Sequence, residues 1–230
     1  MLPYKYSYLI ADLFLLSVWL ILLWKRKNLR KEMLTISSIF GLLAPFLETV
    51  YILDWWHPIT ITNTSIGFED FLFGFTVAGI SSAIYEEVFK KRLKLRKLRK
   101  PIQKRQNLGF ILILAFLAVL FFGSFYFLGV NSFYASSIVF SVGIILILMK
   151  RPDLILDSLV SGILVVLIAL FGFALSELIT PGFVKALWFS RILSGILVLN
   201  APIEDLVWFF LCGMFIGPPY EFWKEGKLVS

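Results

Sequence analysis

Residues 67–86 (GFEDFLFGFTVAGISSAIYE) and 202–221 (PIEDLVWFFLCGMFIGPPYE) are two similar stretches that decide the architecture of this chain. Each is largely apolar, opens with an adjacent Glu and Asp, and closes with Tyr-Glu. The corresponding acids are 135 residues apart, as in the pairs Glu69/Glu204 and Asp70/Asp205. A carboxylate at the centre of a membrane helix costs about 2.5–3.5 kcal/mol, whereas one at a helix N-terminus is favourable by about 0.3–1 kcal/mol. One acidic pair could serve as a cap, but two at corresponding places favour a shared site.

The composition around these stretches is that of an integral membrane protein. Hydrophobic residues make up 59% of the 230 residues and charged residues only 16%, whereas soluble domains average about 45–50% and 25%. Apolar windows of about 17–25 residues mark helices that cross ~30 Å of hydrocarbon. Seven such windows are predicted, at about 7–24, 34–53, 66–89, 108–129, 132–149, 154–178 and 196–222. The predicted fold is therefore an all-α polytopic membrane helix bundle.

The net charge of +7 is concentrated in a few clusters of Lys and Arg. Five basic residues lie in 25–31 and ten in 90–105, with others at 150–151, 224 and 227. With the N-terminus outside, all these clusters fall on one side, as the bias of basic residues towards the cytoplasm requires. We therefore expect a multi-pass protein of the plasma membrane with a cytoplasmic C-terminus. Membrane lipids are expected partners and nucleic acid is not.

The order of the predicted helices indicates two parallel three-helix repeats joined by a linking helix. Helices 1 and 5 both end in a basic pair, helices 2 and 6 both carry an acid near their outer end, and helices 3 and 7 both begin with Glu-Asp. Three crossings reverse the side of the chain, so helix 4 is needed to restore the direction, as in some transporters with an axis along the membrane normal. The predicted division is 1–89 (first repeat), 90–131 (basic linker, expected to continue helix 3, and connecting helix 4) and 132–230 (second repeat).

The candidate site residues form one layer near the outer ends of the helices. Its acids are Glu48, Glu69, Asp70, Glu177, Glu204 and Asp205. Adjacent helical residues point about 100° apart, so only one acid of each pair is expected to face inward. We expect this to be Glu69 and Glu204, because each begins an i, i+4, i+7 stripe with Phe73 and Thr76 or with Trp208 and Leu211.

Aromatic side chains accompany these acids at the same depth, namely Trp55, Trp56, Phe73, Trp188 and Trp208. Ring faces attract cations by about 0.5–2 kcal/mol, so they are candidate substrate-binding residues. An ordinary interfacial aromatic belt is the alternative interpretation.

Other kinds of site have little support in the sequence. The single cysteine, Cys212, excludes a disulfide framework and a thiolate cluster. The single histidine, His57, excludes zinc sites built on several imidazoles. The sequence contains no P-loop and no dinucleotide-binding fingerprint. No metal and no cofactor is expected.

The motif Pro202-Ile203-Glu204-Asp205 resembles the mark of the integral-membrane lycopene cyclase domains, which is Pro-x-Glu-Glu or Pro-x-Glu-Asp at the head of a membrane helix. The aromatic run after it, residues 208–210, is also similar. The first copy, residues 67–70 (GFED), lacks the proline, but Asp54-Trp55-Trp56 before it and residues 71–75 after it resemble the family. The resemblance covers both halves and matches the fused two-repeat form.

The resemblance implies an isomerase of carotenoid biosynthesis that closes rings at the ends of lycopene. A terminal double bond is protonated, the cation cyclises and a proton is lost, with no net redox change. The substrate would be a lipophilic polyene or isoprenoid. Glu69 and Glu204 are then the principal acid/base candidates, Asp70 and Asp205 their partners, and Glu48 and Glu177 supporting or alternative bases.

Two other functions are compatible with the sequence. Intramembrane carboxylates also mark ion paths, so a proton- or ion-coupled transporter is one alternative. A non-catalytic membrane protein that binds isoprenoids or lipids is the other. The change of pigment in lycopene-producing cells distinguishes the enzyme from both.

Overall fold

The computed structural model describes residues 4–95, 99–188 and 194–229, and these residues are mostly helical. The helices are α1 (Ser7–Lys25), α2 (Arg30–Asp54), α3 (Phe68–Ser81), α4 (Ile84–Val88), α5 (Lys100–Tyr126), α6 (Ser132–Lys150), α7 (Ile155–Ile179), α8 (Phe183–Leu187), α9 (Ile203–Ile216) and α10 (Pro219–Lys224). The strands are β1 (Arg92–Lys94), β2 (Leu197–Val198), β3 (Ala201–Pro202) and β4 (Lys227–Val229). The all-α membrane bundle is confirmed.

Five helices are long and apolar enough to cross a membrane, namely α1, α2, α5, α6 and the segment Pro152–Ile179 that contains α7. They account for five of the seven predicted spans. The other two predicted spans are each broken into a 14-residue helix, α3 or α9, and a short helix, α4 or α10. At 1.5 Å per residue, 14 residues cover about 21 Å, which is less than the hydrocarbon thickness.

The two breaks have local causes in the sequence. Ser81 and Ser82 donate their hydroxyls back to the carbonyls of Val77 and Gly79, at 2.7 and 3.2 Å, and such back-bonding bends helices. At the other break, Gly217 is followed by Pro218 and Pro219, and a proline inside a helix removes a hydrogen bond and clashes with the preceding turn. The segment 196–202, predicted as helix, instead forms the β2–β3 hairpin.

Helices α3 and α9 contact each other at the centre of the bundle. Helix α3 also packs against α1 and α2, and helix α9 against α6 and α7, while α5 lies against α6. The central packing is close. A Cβ on Gly213 of α9 would lie 2.9 Å from the Cα of Gly162 in α7. Small residues allow this approach of helix backbones, on which packing in membranes depends.

The bundle consists of two repeat-like halves. The bounds of α6 and α7 are those of α1 and α2 shifted by 125 residues, and α9 is α3 shifted by 135. Strand β4 is β1 shifted by 135, and the two strands pair with each other in antiparallel fashion, Leu93 opposite Leu228.

The prediction that the basic linker continues helix 3 is wrong. Helix α4 ends at Val88, Lys90 has a left-handed φ of 54°, and the chain turns into β1. Residues 96–98 of the linker lie outside the described residues.

Candidate active site

A cavity of about 670 Å³ runs into the bundle from the end where α3 and α9 begin. Its lining includes three acids, Glu48, Asp70 and Asp205, and is otherwise almost entirely apolar. It follows α9 from Asp205 to Ile216, a distance of about 16 Å at 1.5 Å per residue. The cavity is therefore a long, apolar slot with carboxyl groups at one end.

Asp70 is the acid that the first half places in this cavity. It lies in the first turn of α3, where its Oδ2 accepts a hydrogen bond from the backbone N–H of Gly67 at 2.7 Å. Its Oδ1 accepts one from the hydroxyl of Tyr8 in α1 at 2.9 Å. Each carboxyl oxygen therefore has one donor, and the side chain is fixed in its orientation.

Asp205 is the corresponding acid of the second half, and it is held differently. Its Oδ2 accepts a hydrogen bond from the indole Nε1 of Trp188 at 2.9 Å. The position that corresponds to Gly67 is Pro202, which has no N–H to donate. The two motifs, GFED and PIED, therefore differ in the group that orients the aspartate. A backbone N–H within the motif binds Asp70, whereas the Trp188 indole binds Asp205.

The space around Gly67 also explains why the first copy lacks proline. Gly67 has φ −128°, whereas the proline ring fixes φ near −65°. A Cβ on Gly67 would lie 2.5 Å from Glu69 Oε2 and 2.8 Å from Thr60 Cγ2. Glycine therefore fits this position, because there is no room for a side chain and its N–H donates a hydrogen bond to Asp70.

The predicted inward orientation of Glu69 and Glu204 is wrong, because the aspartates line the cavity and these glutamates do not. Glu69 Oε1 accepts a hydrogen bond from the Ile61 N–H at 2.6 Å. Glu204 Oε1 accepts one from the Ser194 N–H at 2.5 Å. The longer glutamate side chain reaches back to the loop before its helix, and this leaves the shorter aspartate facing the cavity.

The two remaining predicted acids also differ from each other. Glu48 lines the cavity from α2, is 6% exposed, and has no hydrogen-bond partner for its Oε1 among the described residues. Glu177 does not line the cavity. Its Oε1 instead accepts a hydrogen bond from the Gly182 N–H at 2.7 Å, which holds the turn after α7.

All five predicted aromatic residues line the cavity. Trp56 and Trp188 come from the loops of the two halves, with ring centroids 5.1 Å apart and an isolated β-bridge between their backbones. Trp208 of α9 lies 6.0 Å from Phe73 of α3 and 6.5 Å from Trp55. The rings therefore surround the acidic end of the cavity instead of forming only a belt at a membrane surface.

Three polar residues of this site were not predicted: Tyr8, Asp12 and Tyr51. Tyr8 and Tyr51 line the cavity, and Tyr51 accepts a hydrogen bond from Trp208 Nε1 at 3.3 Å. Asp12 is fully buried one turn after Tyr8, and neither of its carboxyl oxygens has a hydrogen-bond partner in the described part of the chain. The i, i+4 spacing of Tyr8 and Asp12 in an apolar helix is the signal that could have indicated them.

The cavity opens sideways between α2 and α5. Leu42 and Phe46 of α2 and Ile111 of α5 line it, and each is more than half exposed on the surface of the bundle. In a membrane this surface faces hydrocarbon, so the opening leads to the bilayer.

Carboxyl groups enclosed by aromatic rings, in a slot open to lipid, define a class of protein. It is an intramembrane helix bundle with carboxyl groups at one end of an apolar cavity. A family model described as lycopene cyclase matches residues 5–88 and 131–223. These regions correspond to α1–α4 and to α6–α10, and they leave out β1 and α5.

The chain belongs to the lycopene cyclase family. At the level of the family this supports a carotenoid-cyclase-like function, with a lipophilic carotenoid substrate in a membrane. No curated protein and no solved structure matches the chain in the comparisons.

Proposed function

We propose that this protein is an intramembrane carotenoid cyclase in which Asp70 and Asp205 carry the acid–base chemistry. The observation behind the proposal is that these two acids, one from each half, line the same aromatic cavity. The reaction is an isomerisation, because the proton added to the substrate at the start is matched by a proton lost at the end.

Asp70 is the proton donor in this proposal. Protonation of an alkene requires an acid whose conjugate base is well stabilised. Tyr8 and the Gly67 N–H each donate to one oxygen of Asp70, and hydrogen bonds to a charged acceptor are roughly twice as strong as neutral ones. Both bonds therefore strengthen as Asp70 transfers its proton to the terminal double bond.

The aromatic rings stabilise the carbocation that follows. Phe73 and Trp208 lie close after Asp70 and Asp205 in the sequence of α3 and α9, and with Trp55, Trp56 and Trp188 they line the same cavity. A cation within about 6 Å of a ring centroid gains about 2 kcal/mol or more when water is absent. The ring closes when a second double bond of the same end group attacks the cation and forms a carbon–carbon bond.

Asp205 is the proton acceptor in this proposal. It removes a proton from a ring carbon next to the cation, which forms the new ring double bond and leaves an isomer of the starting polyene. Trp188 donates to one of its oxygens, and the indole of Trp55 is a second donor near the same carboxyl group. A proton must return to Asp70 to restore the starting state, and Glu48, which also lines the cavity and lies near Asp70, is the candidate to deliver it.

The proposal is tested by expressing variants in lycopene-producing bacteria and analysing the extracted pigments. We expect D70N to leave lycopene unchanged, because the proton donor is lost. We expect D205N to give altered end groups or much slower conversion, because the cation forms without its base. The matched controls are E69Q and E204Q, which alter the neighbouring acids that bind loops, and these should cyclise lycopene with reduced thermal stability.

Some outcomes contradict the assignment. If D70N cyclises lycopene as fast as the unmodified protein, and E69Q inserts into the membrane but is inactive, Glu69 would be the proton donor. Altered end groups in E48Q and not in D205N would make Glu48 the base. If the unmodified protein inserts into the membrane and lycopene is still not converted, a binding or transport function would be favoured instead.

We also propose that the end of the bundle with the Lys and Arg clusters, called the basic end, lies in the cytoplasm. The N-terminus then lies on the outer side of the membrane. The clusters of Lys and Arg at 25–31 and 90–105 support this orientation. A cysteine at Thr62, in the exposed loop before α3, should react with an impermeant maleimide in intact cells, and one at Lys104 should not. The reverse pattern would contradict the orientation.

A further inference from the structure

A second group of acids lies at the opposite end of the bundle from the cavity, and the proposed reaction does not use it. Glu32 of α2, Glu86 of α4 and Glu221 of α10 each bring a carboxyl oxygen within 4.8 Å of the other two. The three side chains are 1%, 1% and 0% exposed. They come from both halves of the chain, since Glu86 and Glu221 are the Tyr-Glu acids of the two repeated stretches.

The carboxyl groups in this cluster have no side-chain donor from outside it among the described residues, and Glu32 and Glu221 lie close enough to share a proton with each other. None of the six oxygens of Glu32, Glu86 and Glu221 has a hydrogen-bond partner within residues 4–95, 99–188 and 194–229. Asp157 of α7, which corresponds to Glu32 at the 125-residue offset, lies close enough to repel all three. It has one hydrogen bond, from the hydroxyl of Ser161 at 3.2 Å, and its Oδ2 has none.

The nearby arginines attract the cluster, Arg26 towards Glu86 and Arg151 towards Glu221, but neither donates a hydrogen bond to the carboxyl oxygens of these glutamates. Arg26 donates to the carbonyl of Lys91 and lies 3.6 Å from Glu87. Arg151 forms a bidentate pair with Asp153 at 2.7 and 2.8 Å and also donates to backbone carbonyls at Glu221 and Gly226. Buried carboxylates without a partner are costly unless they are paired or bind a metal.

We propose that Glu32, Glu86 and Glu221 bind one divalent cation of the hard, oxygen-preferring class, such as Mg²⁺, Mn²⁺ or Ca²⁺. Oxygen ligands at about 2.0–2.6 Å from such an ion lie at most about 4–5 Å from one another, which agrees with the spacing in the cluster. Carboxylate ligands without imidazole or thiolate favour these ions over zinc or copper. Because the ligands come from both halves, the cation ties the halves together at the basic end.

A second cavity lies next to the cluster. A cavity of about 640 Å³ is lined by polar residues that include Asp157, Asp153, Arg151, Glu225 and Lys227. Asp157 belongs both to this lining and to the surroundings of the three glutamates. The lining carries three acids and three basic residues and does not include the three glutamates, so Asp157 is the residue through which this cavity meets the cluster.

The test uses the full chain, purified in detergent, stripped with EDTA and titrated with Mn²⁺. Bound Mn²⁺ loses the six-line paramagnetic resonance signal of the aqueous ion, and we expect one ion per chain, displaced by excess Mg²⁺ or Ca²⁺. Saturation should raise the melting temperature by roughly 5 °C or more. E86Q and E221Q should each weaken binding at least tenfold, whereas E87Q, a change in the adjacent acid, should bind Mn²⁺ unchanged.

The metal-free variants keep the test decisive. Without a cation, E86Q removes a buried, unpaired carboxyl, so its melting temperature should equal or exceed that of the unmodified metal-free protein. The proposal is overturned if millimolar Mn²⁺ leaves the full resonance signal and the melting temperature unchanged. It is also overturned if binding survives in the double variant E86Q/E221Q. The infrared spectrum of the stripped, unmodified protein gives a further check. If it shows carboxylic acid bands and these persist after Mn²⁺ is added, protons occupy the cluster instead of a cation.

Discussion

Tyr8 is the residue that joins the first helix of the chain to an acid of the cavity. Its ring packs edge-on against Trp56, with centroids 4.9 Å apart, and its hydroxyl donates to Asp70. The ring and the hydroxyl are therefore separable by substitution. The ring forms part of the aromatic wall, and in the proposed reaction the hydroxyl supports the charge that Asp70 acquires when it donates a proton.

We expect Tyr8→Phe to lower the rate of cyclisation by roughly 10- to 100-fold, because a hydrogen bond to a charged group contributes about 1.5–3 kcal/mol. The ring remains, so the KM for the polyene should be unchanged. Initial rates of pigment conversion in membranes measure both constants. Initial rates equal to those of the unmodified protein would show that the Tyr8 hydroxyl does not assist Asp70.

At the scale of elements, helix α3 holds its acid in place by packing closely against α1 and α2. The indole of Trp19 in α1 donates to Ser37 of α2 at 3.0 Å, and this pair lies directly over Gly79. A Cβ at Gly79 would come within 2.2 Å of both Trp19 Nε1 and Ser37 Oγ. The absence of a side chain at Gly79 therefore determines how near the three helices come.

We expect Gly79→Ala to lower the free energy of unfolding by about 1–3 kcal/mol, the usual cost of overpacking, and to break the Trp19–Ser37 hydrogen bond. Thermal denaturation in detergent measures the loss. Gly123→Ala in α5 is the matched control, since a Cβ there meets nothing within 4 Å in the described structure. Equal melting temperatures for the two variants would contradict this packing.

At the scale of the whole molecule, the two halves meet on an axis marked by β1 and β4. Leu93 pairs with Leu228, and these residues occupy corresponding positions, 135 residues apart. A strand pair that lies on a two-fold axis has this property. The pairing also brings the end of the chain beside the linker, directly next to the proposed cation site.

We expect the double substitution Leu93→Cys and Leu228→Cys to form an intramolecular disulfide on mild oxidation. Opposed residues in antiparallel strands have Cβ atoms about 4.5–5.5 Å apart, slightly more than a disulfide requires, and this short strand pair needs only a small adjustment. Mass spectrometry of digested membranes identifies the cross-linked peptide. The native Cys212 is buried in α9, so each single variant should remain unlinked, and a disulfide to Cys212 would contradict the register.

The membrane class, the five long spans and the presence of the site were predictable from the sequence. Long apolar runs and clustered basic residues are local properties, so α1, α2, α6 and α7 were predicted within a few residues of their observed ends. The aromatic set around the cavity was also predictable, because Phe73 and Trp208 each follow an aspartate of the repeated pairs by three residues, and Trp55, Trp56 and Trp188 lie between predicted spans. The division of the chain into three segments stays a prediction, which the repeat-like offsets of 125 and 135 residues support.

The sequence by itself determined that acids from two similar stretches enter a lipid environment, because the same Glu-Asp pair stands at the head of two apolar runs. Only the tertiary structure decided which acid of each pair faces the cavity. That choice depends on contacts across long sequence distances, from Tyr8 to Asp70, from Trp188 to Asp205, and from the loops to Glu69 and Glu204. The stripe at i, i+4, i+7 indicates which face of a helix is apolar. It carries no information about which donors the other helices bring to that face.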